Sequence, residues 1–253
     1  MGSYFLFKQN YFKYIFYLIL AILGFDIFAY LFIENSIILK LAGVVREKNI
    51  PTLFSTFQLI LSGNLLYIIY KFSKKKPDPK PITNYWKILS FLFYFLAFDE
   101  WFTVHDIVGK LFSNNLGAAG DLFGWTLIYL ILIPIFLLFS IRFLLSLPKN
   151  IAIGFIVSGA VFVFGAIGLE LLNKGEFQLL LNLQVSETWQ YIITLFEESF
   201  EILGIFLFNF IIFYYGFNNF GISDYKLSKR WYVGLFLFGL IDIILTIFVQ
   251  LSV

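Results

Sequence analysis

The strongest constraint on this chain is its repeated apolar runs, each about 18 or more residues long with few charges, enough to cross a hydrocarbon core of about 30 Å. Inside lipid every backbone N–H and C=O must be paired within the structure, which leaves helices and closed barrels. Runs this long and this continuously apolar predict helices. Seven emerge, over Tyr11–Ile33, Pro51–Tyr70, Trp86 to about Gly109, Asp121–Leu145, Ile151–Leu172, Thr188–Tyr215 and Trp231–Leu251. Composition agrees, with 60% hydrophobic and only 13% charged residues where a soluble domain carries about 25% charged. The expected fold class is an all-α integral membrane protein, a single transmembrane helical domain over residues 1–253. No internal repeat or appended soluble domain is visible.

Lys8 and Lys13 precede the first run, as in a secretory signal, but the run contains Asp26 and lacks a small-residue cleavage site. It reads as a first span. Cysteine is absent, which removes disulfides, thiolate metal sites and cysteine nucleophiles. Nothing in the charge pattern suggests nucleic acid as a partner.

Orientation follows from the Lys/Arg distribution between loops. With the N-terminus in the cytoplasm, one side collects Lys8, Lys13, Lys71, Lys74, Lys75, Lys76, Lys80, Lys87, Arg142, Lys149, Lys226, Lys229 and Arg230, and the other Lys40, Arg46, Lys48, Lys110 and Lys174. Thirteen against five predicts a cytoplasmic N-terminus, an external C-terminus and residence in the plasma (inner) membrane. Trp86, Tyr214, Tyr215, Trp231 and Tyr232 then fall at the inner interface, and Trp125 and Trp189 at the outer one. The Lys74–Pro81 loop is expected to be solvated and within reach of anionic lipid headgroups.

Ionisable residues inside a membrane are costly and mark function by default. Here they are numerous. Asp26 lies just beyond the middle of the first span, Asp99, Glu100, His105 and Asp106 lie in the third, and Glu170 closes the fifth. Glu197, Glu198 and Glu201 lie in the sixth, and Asp242 midway along the seventh. The predicted orientation brings those of the third, fifth and sixth spans to one layer, in the outer half. On a continuous third helix Asp99 and Asp106 stand only about 20° apart, on one face. Glu197 and Glu201 share a face at i,i+4, where like charges repel. No Lys or Arg lies deep in these spans, so protons, a metal ion or water must compensate.

The expected ligands of a divalent cation are Glu100, His105, Asp106, Glu170, Glu197 and Glu201. Asp26, Asp99, Glu198 and Asp242 are expected around them or along a proton path. Oxygen donors favour Ca²⁺, Mg²⁺ or Mn²⁺ over Zn²⁺. The strict di-iron pattern needs two Glu-x-x-His pairs, and His105 is the only histidine. In the second span Ser55, Gln58 and Ser62, with Thr52 and Asn64 nearby, either line the same cavity or join helices by hydrogen bonds.

Three functional classes remain open. An ion- or proton-coupled transporter or channel uses the carboxylates as its cation or proton site. A metal-dependent intramembrane hydrolase or transferase acts on a lipid, with metal-activated water and a glutamate base. A homo-oligomeric pore is gated by a partner. Smaller features have structural readings: Asp121 caps the fourth span, Ser186 and Glu187 cap the sixth, and Gly154, Ser158, Gly159, Gly165 and Gly168 allow close packing of the fifth.

The stretches Asp99-Glu100-Trp101-Phe102-Thr103-Val104-His105-Asp106, Gly165-Ala166-Ile167-Gly168-Leu169-Glu170 and Glu197-Glu198-Ser199-Phe200-Glu201-Ile202-Leu203-Gly204 together resemble an uncharacterised family of prokaryotic multi-span membrane proteins. The family more often has Glu after the histidine, where this chain has Asp106. The resemblance implies that these residues belong together and carries no activity.

Overall fold

The computed structural model describes residues 2–32, 49–75, 80–116, 125–173, 178 and 185–220, and side chains of the first helix from Phe12 onward. The seventh expected span, with Asp242, Trp231 and Tyr232, lies outside the described residues, as does Asp121. Among the described residues all regular structure is helical. The helices are α1 (Gly2–Phe32), α2 (Ile50–Ser73), α3 (Lys80–Phe102), α4 (Val104–Leu116), α5 (Thr126–Ser146), α6 (Lys149–Asn173) and α7 (Glu187–Phe220).

Five of these are long and apolar enough to cross a membrane: Phe12–Phe32 of α1, then α2, α5, α6 and α7. The third expected span is different. It breaks at Thr103 into α3 and α4, and Pro81–Phe102 meets Val104–Leu111 at 74°.

Local chemistry sets the helix starts. Asn49 caps α2, its Oδ1 accepting from Thr52 N–H at 2.7 Å, with Pro51 in the first turn where a missing N–H costs nothing. Ser186 caps α7, accepting from Trp189 N–H at 3.4 Å, as its sequence position suggests. α5 carries Pro134 in its interior, which membrane helices tolerate. Its Leu130, Ile131, Ile135, Leu138 and Phe139 are exposed. Such a surface suits lipid and would be insoluble in water.

α2 is the most enclosed span, packed between α3 and α7. Ser90 Oγ donates to Gly63 O at 2.8 Å and Tyr94 Oη to Asn64 Oδ1 at 2.9 Å, setting an antiparallel α2–α3 register. Ser62 Oγ donates to Asn209 Oδ1 at 2.9 Å, and Asn209 Nδ2 to the Gln58 carbonyl at 3.1 Å, tying α2 to α7. α6 runs against α7, and α1 reaches α7 through Phe12, whose ring meets Phe206, Phe210 and Phe213 edge-on.

One end of the bundle is aromatic and dry. Trp86, 1% exposed, sits among Phe143, Phe155 and Tyr215, with Leu66, Ile69, Leu89, Ile151 and Ile212 around it. Lys71, Lys74, Lys75, Lys87, Arg142 and Lys149 belong to this end. The acidic residues among those described belong to the other.

Candidate functional site

The break at Thr103 reorganises the acidic motif. Thr103 has φ 50°, a left-handed conformation that a β-branched residue adopts only at a cost. What supports it is Asp99: His105 N–H donates to Asp99 Oδ1 at 2.8 Å, and Tyr129 Oη donates to Oδ2 at 3.0 Å. The carboxylate thus satisfies an N–H that the first turn of α4 would leave unpaired, and its charge faces the positive end of the α4 dipole. The expected shared face of Asp99 and Asp106 on a continuous helix is therefore overturned. Asp99 ends one helix and Asp106 lies in the first turn of the next.

The two aspartates nonetheless meet the same imidazole. His105 Nδ1 lies 3.5 Å from Asp99 Oδ1, and Nε2 lies 3.9 Å from Asp106 Oδ1. Asp99 is buried, whereas the Asp106 side chain is 45% exposed. The ring packs on Trp125, centroids 5.0 Å apart, and Trp125 meets Tyr129 edge-on. A buried carboxylate, a half-buried imidazole and an exposed carboxylate thus stand in line from the interior to the surface. Glu100, part-buried on α3, lies one residue from Asp99.

A second acidic group gathers where α6 and α7 almost touch. Phe164–Leu169 forms a π-helical turn, a widened turn that often marks functional sites. A Cβ added at Gly165 would stand 2.8 Å from Glu197 O and 3.0 Å from Glu201 N, and one added at Gly204 would stand 2.6 Å from Phe162 N. Only glycine permits backbones to run that close. Asn173 Nδ2 donates to Thr194 Oγ1 at 2.8 Å farther along. Between these fixed points Glu170 lies level with the Thr194–Glu197 turn. Glu197 and Glu201 belong to the row of α7 that continues through Gly204 and Phe208 toward α6.

Glu198 belongs to a different row, through Ile202, Ile205, Asn209 and Ile212 at i+4, i+7, i+11 and i+14. Asn209 of this row bonds to α2, so the row faces α2. The three glutamates of α7 therefore serve two interfaces.

Asp26 makes a third group. It is fully buried and accepts from Tyr191 Oη at 2.8 Å, while Tyr30 stacks on Tyr191 at 3.6 Å. Phe12 meets Phe210 and Asp26 meets Tyr191, so α1 and α7 run antiparallel and Asp26 lies about one turn beyond Glu197. It belongs to the acidic layer.

The structure thus brings Asp99, His105 and Asp106 together, and sets Glu170 beside the Glu197–Glu201 row. Asp26 bonds Tyr191 instead. Among the described residues no group of three or more His, Asp and Glu is arranged to hold a metal ion.

Partners that sequence reasoning missed are Tyr129, Tyr191 and Asn209. Tyrosine is so common here, at 15 residues, that no local pattern singles out the first two. Asn209 carries a signal: a lone amide in the apolar run Gly204–Tyr215.

Residues 14–215 match the family described as Domain of unknown function (DUF8692), a region that contains all three acidic stretches. The chain belongs to that family. No curated protein and no solved structure matches it.

Proposed function

We propose that this member of the family is a multi-pass protein of the plasma (inner) membrane that handles protons or small cations, as an ion- or proton-coupled transporter or channel. The excess of lysine and arginine at the aromatic end supports a cytoplasmic place for that end and an external one for the acidic end. One observation carries the reading: a buried stripe of α2, Thr52, Ser55, Thr56, Gln58 and Ser62, runs from the acidic layer toward the middle of a bundle otherwise packed with Leu, Ile and Phe. Polar groups at that depth are tolerated where they line an ion or water path.

In this reading the relay of Asp106, His105 and Asp99 exchanges protons with the external solution. Asp26 and the glutamates of α7 supply the negative potential that concentrates cations at the mouth. The dispersed carboxylates suit protons, each of which needs only one oxygen. A divalent ion would take several at once.

Flux in proteoliposomes tests the proposal. Vesicles containing the purified chain should dissipate an imposed pH or alkali-cation gradient several-fold faster than empty ones. His105→Ala and Glu198→Gln should each slow this while the protein stays folded. Wild-type vesicles as tight as empty ones to protons, Na⁺, K⁺ and Mg²⁺ would overturn it.

A further inference from the structure

The polar stripe of α2 has an unusual property beyond its position. Thr52 Oγ1, Ser55 Oγ, Thr56 Oγ1 and both amide atoms of Gln58 are buried with no hydrogen-bond partner in the protein. All four residues are at most 3% exposed. Elsewhere in the bundle hydroxyls in the same situation bond back to their own helix. Ser62 donates to Gln58 O, Ser140 to Phe136 O, Ser158 to Phe155 O and Ser199 to Leu195 O. Ser55 and Thr56 have carbonyls of their own helix behind them, at Pro51 and Thr52, and leave them unused. Buried polar atoms without partners are rare and costly, and each demands a ligand or water.

Helical geometry locates the group. Gln58 lies four residues before Ser62, on the same face, and Ser62 bonds Asn209 of α7. Ser55 shares that face, one turn nearer the acidic end. The α2–α3 register set by Gly63–Ser90 and Asn64–Tyr94 places Thr56 level with Asp99 and Glu100, and Thr52 level with the bend at Thr103. The orphaned atoms therefore stand between the α3 acidic motif and the Glu198 row of α7.

We propose that this stripe is the seat of a dehydrated alkali cation, Na⁺ or K⁺, entered from the acidic end. The inference rests on the ion-handling reading and names the ion class and its ligands. Three hydroxyls and the Gln58 carbonyl oxygen offer four neutral oxygen dipoles, the donor type that replaces a hydration shell in cation-selective filters. One facing carboxylate, Glu198, balances one positive charge, whereas Ca²⁺ or Mg²⁺ draws on more.

Thermal unfolding of the full chain in nanodiscs decides the matter, with NaCl or KCl replacing choline chloride at constant ionic strength. The midpoint should rise saturably with Na⁺ or K⁺, by roughly 3–5 °C at saturation, and the titration in which this happens identifies the ion. Gln58→Leu should abolish the rise, and Ser55→Ala should shift its half-saturation several-fold should the first variant fail to fold. Ser158→Ala should leave it intact. Equal midpoints in choline, Na⁺ and K⁺ would overturn the proposal, since water alone would then fill the stripe. A response to Mg²⁺ alone would overturn it as well, as would a full response in Gln58→Leu. Failure of the ion-handling reading looks different: no flux in vesicles, with the alkali-specific rise still present.

Discussion

The two ends of this bundle solve the same packing problem in opposite ways. At the lysine-rich end helices meet through large rings, with Trp86 enclosed by Phe143, Phe155 and Tyr215 and Phe93 stacked on Phe208 at 4.4 Å. At the acidic end glycine backbones, hydroxyls and carboxylates join the rings at the contacts, as where Tyr191 both stacks on Tyr30 and bonds Asp26. The same pair of helices shows both modes. A Cβ at Gly154 would meet side-chain atoms of Ile211, nearest its tip at 2.7 Å, whereas one at Gly165 would meet the backbone of α7. A tip can turn aside and a backbone cannot. Lipid offers little hydrophobic drive for helix association, so packing and polar contacts carry it. One end is closed by large rings, and the other brings backbones close while staying polar enough to hold charge.

That contrast can be broken by substitution. The largest effect belongs to Trp86→Ala, which empties the centre of the aromatic end and should cost about 3–5 kcal/mol, read as a large fall in thermal midpoint in detergent. Next comes the glycine pair. Gly165→Ala should cost about 2 kcal/mol by forcing α6 from α7, and Gly154→Ala well under half of that. Equal costs would mean that the α6–α7 contact is not backbone-close at the acidic end.

Asp99→Ala removes the cap of α4 and the acceptor of Tyr129, and should cost about 2 kcal/mol. Faster amide exchange confined to Val104–Leu111 would show that the loss is local. The smallest effect has the opposite sign: Thr103→Gly, which frees the positive φ, should stabilise by about 1 kcal/mol. A loss of stability there would show that the threonine side chain contributes more than its backbone costs.

The sequence announces the spans well and the site only in part. Runs expected at Pro51–Tyr70, Ile151–Leu172 and Thr188–Tyr215 appear as Ile50–Ser73, Lys149–Asn173 and Glu187–Phe220, because about twenty apolar residues can hardly do anything else in lipid. The polar stripe of α2 was visible as a periodicity: Ser62 joins helices, one of the two roles open to it, while Ser55 and Gln58 stay unpaired. The break at Thr103 was not legible. Neither glycine nor proline marks it, and the carboxylate that supports it is indistinguishable, in sequence, from one that faces a cavity. The π-turn was hinted at by Gly165 and Gly168 but not required by them. Without these two irregularities the carboxylates would converge. With them, Asp99 turns to capping and the α7 glutamates divide between α6 and α2.

The central claim is that the acidic end is open to ions from outside and the aromatic end is closed. The chain has no cysteine, so single cysteines at Thr52, Ser55, Ile69 and Leu89 can be compared on an otherwise silent background. A small, membrane-impermeant cationic thiol reagent should modify positions 52 and 55 from the external face of sealed vesicles, more slowly in saturating alkali cation, and leave 69 and 89 untouched. Equal rates at all four positions, or modification of 69 and 89 alone, would contradict the account.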